Sequence, residues 1–117
     1  MSNRNRNKGN NYERKIRLEF KDLGWINCET SRYKSKYLDD NKIDLTDTTP
    51  FSIQAKCTQN NPSYHKIFQD MLEQNGNYKI IYHKKSNERN KEYIILEKES
   101  WVEILQMLIK EKIINPK

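Results

Sequence analysis

Three polar residues, Asp44, Gln54 and Lys56, have the types and spacing that phosphodiester hydrolysis requires. Apolar and polar residues alternate over 51–57, which predicts a half-buried strand with Gln54 and Lys56 side by side on its polar face. The segment 43–45 alternates too, which points Asp44 away from its apolar neighbours. If the two strands are adjacent, a carboxylate, an amide carbonyl and an ammonium meet at one sheet edge. Such a group suits a hard divalent cation and a water molecule.

The distribution of charge favours a nucleic-acid partner. The chain has 117 residues and a net charge of +6. Residues 1–37 hold ten Lys and Arg against four Asp and Glu, whereas the remainder holds twelve of each. The segment 1–9 is rich in Asn and carries Arg4, Arg6 and Lys8, so we expect a flexible basic arm that binds phosphates. A solvated tail without a partner is the alternative.

The cysteines, the histidines and the hydropathy of the chain indicate neither a zinc site nor a membrane protein. The cysteines, Cys28 and Cys57, and the histidines, His65 and His83, form no zinc-binding pattern. We expect the cysteines to be small core residues and the histidines to be surface or partly buried side chains. No signal peptide and no apolar run near 18 residues are present, which predicts a soluble, cytoplasmic protein of a bacterium, or of the host cytoplasm if viral. No membrane contact and no small-molecule cofactor are expected.

Hydrophobic periodicity and turn residues predict the elements that position these side chains. The expected order is α-β-β-β-α-β-β-α, a single α/β domain over residues 10–117 with a central mixed sheet flanked by helices. The expected bounds are a helix from Asn11 to Leu23 ended by Gly24, a strand over 25–32, a loop over 33–42, strands over 43–47 and 51–57, a helix from Asn61-Pro62 to Gly76, strands over 78–83 and 92–97, and a last helix from a Ser100–Glu103 capping box to about Lys112.

These residues in this order resemble the PD-(D/E)XK nuclease core. The chain is most similar to the archaeal and phage Holliday junction resolvases, whose pattern is a basic Gly-x-x-x-Glu-Arg helix start, a strand, a mobile loop, an Asp and Glu-x-Lys. Residues 9–14, Gly-Asn-Asn-Tyr-Glu-Arg, match the first block, Asp44 the second, and residues 54–56 the third. The resemblance spans roughly residues 8–97 and implies a restriction-endonuclease-like core.

The resemblance also implies an activity. It predicts a metal-dependent endonuclease of branched DNA that acts in DNA recombination as a homodimer, because a four-way junction is resolved by two symmetric nicks. Glu13, Asp44 and the Gln54 carbonyl would bind Mg²⁺, for which Mn²⁺ could substitute, and Lys56 would orient or deprotonate the attacking water. A nuclease of linear duplexes, of restriction or repair type, and a non-catalytic DNA-binding protein of the same fold are the alternatives.

Two departures from the family pattern affect the metal site. Gln54 stands where the family has Glu, so the site loses one negative charge. Ile43 precedes Asp44 where the family has proline. This leaves Asp39 and Asp40 as rivals of Asp44 for the metal carboxylate.

Several other residues allow both a functional and a structural interpretation. Glu13 is either a metal ligand or the partner of Asn10 in a capping box, and Arg14 is either a phosphate contact or an exposed helix charge. Basic residues interleaved with Tyr33 and Tyr37 suit contact with backbone phosphates and unstacked bases, although a flexible solvated loop gives the same pattern. The residues of this second DNA-contact set are Ser31, Arg32, Lys34 and Lys36.

Overall fold

A three-stranded mixed sheet forms the centre of the molecule. The computed structural model describes residues 3–89 and 91–117, so residues 1 and 2 of the predicted arm lie outside it. The elements are α1 (Asn3–Leu23), β1 (Glu29–Thr30), α2 (Ser31–Lys34), α3 (Lys36–Asp40), β2 (Leu45–Thr46), β3 (Phe51–Thr58), α4 (Tyr64–Asp70), β4 (Tyr78–Lys85), β5 (Glu92–Leu96) and α5 (Lys98–Lys110).

The sheet order is β3-β4-β5, and a separate antiparallel ribbon is formed by β1 and β2. Strands β3 and β4 are parallel, with Gln54 opposite Ile81 and Lys56 opposite His83. Strand β5 runs antiparallel to β4. The backbone N–H of Asp44 donates to the carbonyl of Ile53 at 2.7 Å and so connects the ribbon to the central sheet. The predicted α/β domain with a mixed sheet flanked by helices is therefore confirmed.

Each face of β3 packs against a different hydrophobic cluster. The first cluster joins α1 to the sheet, and it includes the four residues predicted for the apolar face of the strand, which are Phe51, Ile53, Ala55 and Cys57. The second cluster joins α4 to the opposite face through Ile43, Phe68, Met71 and Ile81. As a result Ser52 and Gln54 are buried as well. The prediction of a half-buried strand is wrong, because α4 covers the face that carries the polar residues.

The first helix is longer than its apolar pattern predicts. Its buried positions Tyr12, Ile16 and Phe20 recur at the expected spacing, and Gly24, with φ +123°, follows its last residue as predicted. However, α1 begins at Asn3, so residues 3–9 of the predicted flexible arm are helical. No apolar side chain marks these first turns, and residues 4–7 are exposed.

The segment between α1 and β3 differs most from the prediction. Only Glu29 and Thr30 of the predicted strand over 25–32 are extended, and the predicted loop over 33–42 contains two short helices, α2 and α3. Ser35 separates them, and its hydroxyl caps α3 by accepting from the N–H of Leu38 at 3.2 Å. Helices of four and five residues are too short to show a hydrophobic period, which is why the sequence pattern does not reveal them.

The two C-terminal helices begin at other caps than predicted. Helix α4 begins after Ser63, whose hydroxyl accepts from the N–H of Lys66 at 3.3 Å, and it ends at Asp70 rather than near Gly76. Helix α5 begins at Lys98, so Ser100 and Glu103 lie inside it and form no capping box. Among residues 3–89 and 91–117, no helix has a stretch that is both long and apolar enough to cross a bilayer.

Candidate functional site

The carboxylate of Asp44 is buried where the ribbon meets the central sheet. Asp44 is only 6% exposed, and its Oδ2 accepts from the backbone N–H of Ala55 at 2.7 Å and from Gln54 Nε2 at 2.9 Å. Two donors on one oxygen offset part of the cost of burying a charge. The predicted meeting of Asp44 and Gln54 is therefore present in the structure.

The reason for this meeting differs from the predicted alternation. Ile43 packs in the second cluster and Leu45 in the first, so the neighbours of Asp44 lie in different cores. Asp44 does not face solvent from a polar strand face. It lies between the two clusters, where its backbone carbonyl also accepts from the N–H of Ser31 at 2.8 Å.

The side-chain carbonyl of Gln54 lacks a partner. Because Nε2 donates to Asp44, the amide orientation is set, and Oε1 is buried without a hydrogen bond to any described group. A buried acceptor left unpaired costs about 1–3 kcal/mol. An oxygen of this kind is a candidate contact for a cation or a water molecule.

Glu13 reaches the same region from α1. Its side chain is 15% exposed, and its Oε1 lies 3.5 Å from Arg32 Nη2. Because α1 begins at Asn3, Glu13 lies in the middle of the helix and far from its first turn. The capping-box alternative with Asn10 is therefore wrong, and the carboxylate is left for another role.

Burial raises the proton affinity of both carboxylates. Burial raises the pKa of Glu13 to about 7, and the charge of Asp44 adds to this rise, while Arg32 opposes it. Burial also raises the pKa of Asp44 to about 6, against the lowering effects of the Ala55 N–H and the charge of Lys56. Two carboxylates that are buried close to a further negative charge are stabilised when they bind a proton or a cation.

Lys56 is the free ammonium of this site. It is half-buried on β3, and its charge acts on Asp44. Within the part of the chain that the structure describes, no carboxylate is within ion-pair distance of Lys56. The ammonium is thus not committed to a structural salt bridge.

The two rival carboxylates are in different situations. Asp39 in α3 is partly buried, and its charge raises the pKa of both Glu13 and Asp44. The side chain of Asp40 is 57% exposed and accepts from Lys36 at 2.9 Å. Asp39 therefore belongs to the electrostatic surroundings of the site, whereas Asp40 is held by Lys36 at the surface.

The described side chains do not form a ready-made metal cage. Over residues 3–89 and 91–117, no three His, Cys, Asp or Glu side chains are grouped so that they could hold a metal ion. A cation in this region would therefore need the Gln54 carbonyl, backbone oxygens or water in addition to the carboxylates.

A basic cleft adjoins Glu13 on one flank of α1. Its cavity of about 500 Å³ is open to solvent and lined by Arg14, Arg17, Glu29, Thr30, Arg32 and Tyr33. Arg17 donates to Glu29 at 2.8 Å, and Arg14 donates to Asn11 at 3.0 Å. The ring of Tyr33 is 82% exposed. Three guanidinium groups and an exposed aromatic ring can bind phosphates and an unstacked base.

The other predicted DNA contacts are dispersed. Arg4 and Arg6 are exposed in the first turns of α1, and Lys8 lies on the flank opposite the basic cleft. Lys34 is paired with Asp47 at 3.0 Å, as Lys36 is with Asp40. Ser31 is fully buried, so its prediction as a surface contact to DNA is wrong.

The sequence interpretation missed Arg17. It follows Arg14 by three residues on α1, and both line the basic cleft with Arg32. Helical spacing in a helix whose buried face was already recognised could have revealed this pair. The sequence interpretation also underestimated the burial of His83. This side chain is fully buried, and its two ring nitrogens lie 2.9 Å from the hydroxyls of Thr58 and Tyr64.

Comparison of the chain with protein-family models, with curated proteins and with solved structures found no match.

The raised carboxylate pKa values predict how stability depends on pH. A carboxyl group whose pKa is higher in the folded state stabilises the fold most at low pH, and this contribution is lost as pH rises through the folded value. For Glu13 the loss falls between its ordinary value of 4.5 and about 7. We therefore expect the melting temperature of Glu13→Gln, relative to wild type, to increase when the pH is raised from 5 to 8. Thermal melts at both values, without divalent cations, measure this difference.

Glu19→Gln is the matched control, because Glu19 is exposed on the same helix and the substitution removes the same charge. Its melting temperature relative to wild type should change little over this range. An equal response of the two variants would contradict the assignment of a raised pKa to Glu13.

Proposed function

We propose that this chain is a Mg²⁺-dependent DNA endonuclease that resolves four-way junctions by paired nicks. The observation that carries the proposal is the convergence of Glu13, Asp44 and the unpaired Gln54 carbonyl beside the charge of Lys56. These groups come from α1, from the residue preceding β2 and from β3, so the fold assembles them from distant parts of the sequence.

The donor set fits a hard divalent cation. Asp44 uses Oδ2 for its two hydrogen bonds, which leaves Oδ1 as its candidate ligand atom. The Glu13 carboxylate and the buried Gln54 Oε1 supply further oxygens, the ligand type that Mg²⁺ and Mn²⁺ take. Burial raises the pKa of both carboxyl groups, and this is the electrostatic condition that a bound cation would relieve.

Individual residues of the chain then have separate roles in the hydrolysis. A bound cation supplies Lewis acidity to a phosphate and lowers the pKa of water. Lys56 orients the attacking water or helps to deprotonate it, and then stabilises the negative charge that develops on the phosphate. Arg32 binds Glu13 and lines the basic cleft, so it connects the carboxylate pair to the surface that holds the DNA strand.

The basic cleft supports a DNA substrate. Arg14, Arg17 and Arg32 offer planar donors for backbone phosphates, and Tyr33 offers an exposed ring for a base that is unstacked at a branch point. The net charge of +6 adds long-range attraction to the polyanion. We therefore assign the strand nearest to the scissile phosphate to this cleft.

The restriction-endonuclease-like core is supported by the arrangement of the elements. Helix α1 packs on β3, the parallel strands β3 and β4 are connected through α4, and β5 completes the sheet in the antiparallel direction. The candidate residues Gln54 and Lys56 lie on the central region of β3, where this core brings α1 and the ribbon together.

A homodimer is supported by α5. None of its 13 residues is buried or belongs to a core cluster, and Trp101 and Met107 are each 47% exposed. Residues 97–103 carry three acids and one lysine, whereas residues 110–117 carry three lysines and one acid. Two antiparallel copies of this helix would bury apolar surface and match opposite charges around a two-fold axis.

A non-catalytic DNA-binding protein is the second candidate. It is favoured by the uncharged Gln54 and by the absence of a group of three metal-ligating side chains among the described residues. A nuclease of linear duplexes shares the site and differs only in its substrate. These three functions are distinguished by the DNA that is cleaved. Synthetic four-way junctions, linear duplexes and single strands are each incubated with the protein in Mg²⁺ or in EDTA.

We expect cleavage of the four-way junction in Mg²⁺ and none in EDTA. Lys56→Ala should reduce the single-turnover cleavage rate by about 100-fold or more, since a positioned group in proton transfer contributes about 10²–10⁴-fold. Junction binding and the melting temperature should stay near wild type. Gel analysis of single-turnover reactions measures the rate.

Lys91→Ala is the control, because Lys91 is exposed in the turn before β5 and carries the same charge. A Lys56→Ala enzyme that cuts as fast as Lys91→Ala would exclude Lys56 from catalysis. Junction binding without any cleavage by the wild type would favour the non-catalytic protein.

If the Gln54 carbonyl is a metal ligand, replacing Gln54 should change the Mg²⁺ concentration that cleavage requires. Gln54→Glu adds an anionic oxygen at the same position, so the Mg²⁺ concentration that gives half-maximal rate should fall. Gln54→Ala removes the oxygen, so this concentration should rise, and Mn²⁺ should restore part of the activity. Cleavage rates against metal concentration for the three proteins measure both effects. One shared midpoint would exclude Gln54 as a ligand.

A further inference from the structure

The first turns of α1 extend beyond the part of the helix that packs on the sheet. The helix begins at Asn3, whereas among residues 4–12 only the side chain of Tyr12 is buried. At a rise of 1.5 Å per residue, this unpacked segment is about 13 Å long. Residues 3–11 are all Asn, Arg, Lys or Gly. A helical segment that is polar all round is not stabilised by packing on its own domain, so a polar partner outside the chain would add to its stability.

One side of this segment continues the basic cleft along α1. The residues of α1 that line the cleft are Arg14 and Arg17. At 3.6 residues per turn, Arg6, Asn7 and Asn10 lie on the same side of the helix, within an arc of about 100°. Arg6 and Asn7 are exposed. From Arg6 to Arg17 the helix therefore carries a stripe of Arg and Asn side chains that is about 17 Å long.

The side chains of this stripe are of the types that read base edges in DNA. In the major groove, Arg forms paired hydrogen bonds with O6 and N7 of guanine, and Asn does so with N6 and N7 of adenine. The amides of Asn7 and Asn10 carry no charge, so they add little to a general attraction to phosphates. An α-helix is about 10–12 Å in diameter, and the major groove is about 12 Å wide, so the segment fits the groove.

We propose that Arg6, Asn7 and Asn10 dock in the major groove of the duplex arm whose backbone occupies the basic cleft. Because the stripe and the cleft share one side of α1, a strand held by Arg14 and Arg17 brings its own duplex arm to the first turns of the helix. A stripe of about 17 Å spans roughly five base pairs at 3.4 Å each. The protein then prefers certain base sequences in that arm. The inference rests on the proposed function in that its partner is DNA.

Binding of four-way junctions in EDTA tests the docking without any cleavage. Junctions with one randomised arm are selected by repeated binding to the full-length protein, and the selected arms are sequenced. Guanines of a selected arm are then methylated at N7, which lies in the major groove, and the methylated positions in bound and free DNA are compared. We expect a base preference in the arm, and we expect N7 methylation at the preferred guanines to exclude the DNA from the complex.

Two uncharged substitutions test the assigned base contacts. Asn7→Ala and Asn10→Ala should each weaken binding of the selected arm by about fivefold or more, because one paired contact to a base is lost. Binding of an unselected arm should change little. Neither substitution alters the charge, so the dependence of binding on salt concentration should stay that of the wild type. Asn27→Ala is the control, because Asn27 is exposed beyond the other end of α1.

Two substitutions of Gly9 test whether the segment binds as a helix. A Cβ added at residue 9 meets no atom within 4 Å, so Gly9→Ala should favour the helix and bind the selected arm at least as tightly as the wild type. Gly9→Pro should lose the base preference, because proline ends the helix there. The packed part from Tyr12 onward is kept, since proline is tolerated in a first helical turn. Both variants keep the charges of the wild type, and thermal melts confirm that they fold.

The outcomes separate this inference from the nuclease proposal. A base preference without junction cleavage in Mg²⁺ would contradict the nuclease and support the docking of α1 in the major groove. Cleavage of all junctions alike, with no base preference and no effect of N7 methylation, would overturn the docking and leave the nuclease supported. A Gly9→Pro protein that keeps the full base preference would also overturn the docking, because a flexible arm would then be sufficient.

Discussion

The burial of one carboxylate, that of Asp44, constrains the centre of this structure. The backbone N–H of Asp44 binds Ile53 of β3, its carbonyl binds the N–H of Ser31, and its Oδ2 accepts from Ala55 and Gln54. A charge removed from water is tolerated only with such donors. The ribbon, the short helix α2 and the central strand therefore meet at this residue, and their relative positions are set by its hydrogen bonds.

The same burial gives the site its chemistry. Burial raises the pKa of both Asp44 and Glu13, and the charge of Asp44 raises that of Glu13 further. The Gln54 carbonyl is left unpaired beside them. These are costs to the fold that a cation would offset, which connects the stability of the protein to its proposed function. The proposed cation site thus coincides with an unsatisfied buried polar atom, Gln54 Oε1.

The sequence pattern predicted those elements in which apolar and polar side chains alternate or apolar side chains recur at helical spacing. The alternation over 51–57 located β3 and its apolar face, and the spacing of Tyr12, Ile16 and Phe20 located the packed part of α1. The patterns could not show that α4 covers the other face of β3, since this depends on tertiary packing. They also gave no signal for α2 and α3. The grouping of Asp44 with Gln54 was predicted, but from an alternation that the two clusters contradict.

The most direct test of this account is a carbon-13 NMR titration of the Glu13 and Asp44 carboxyl groups, with and without Mg²⁺. Without Mg²⁺, we expect Glu13 to titrate at its raised pKa of about 7 and Asp44 at its raised pKa of about 6. Mg²⁺ should lower both midpoints, because the cation competes with the proton. Midpoints at the ordinary values of 4.5 and 3.8, unchanged by Mg²⁺, would contradict a cation site built on these two residues.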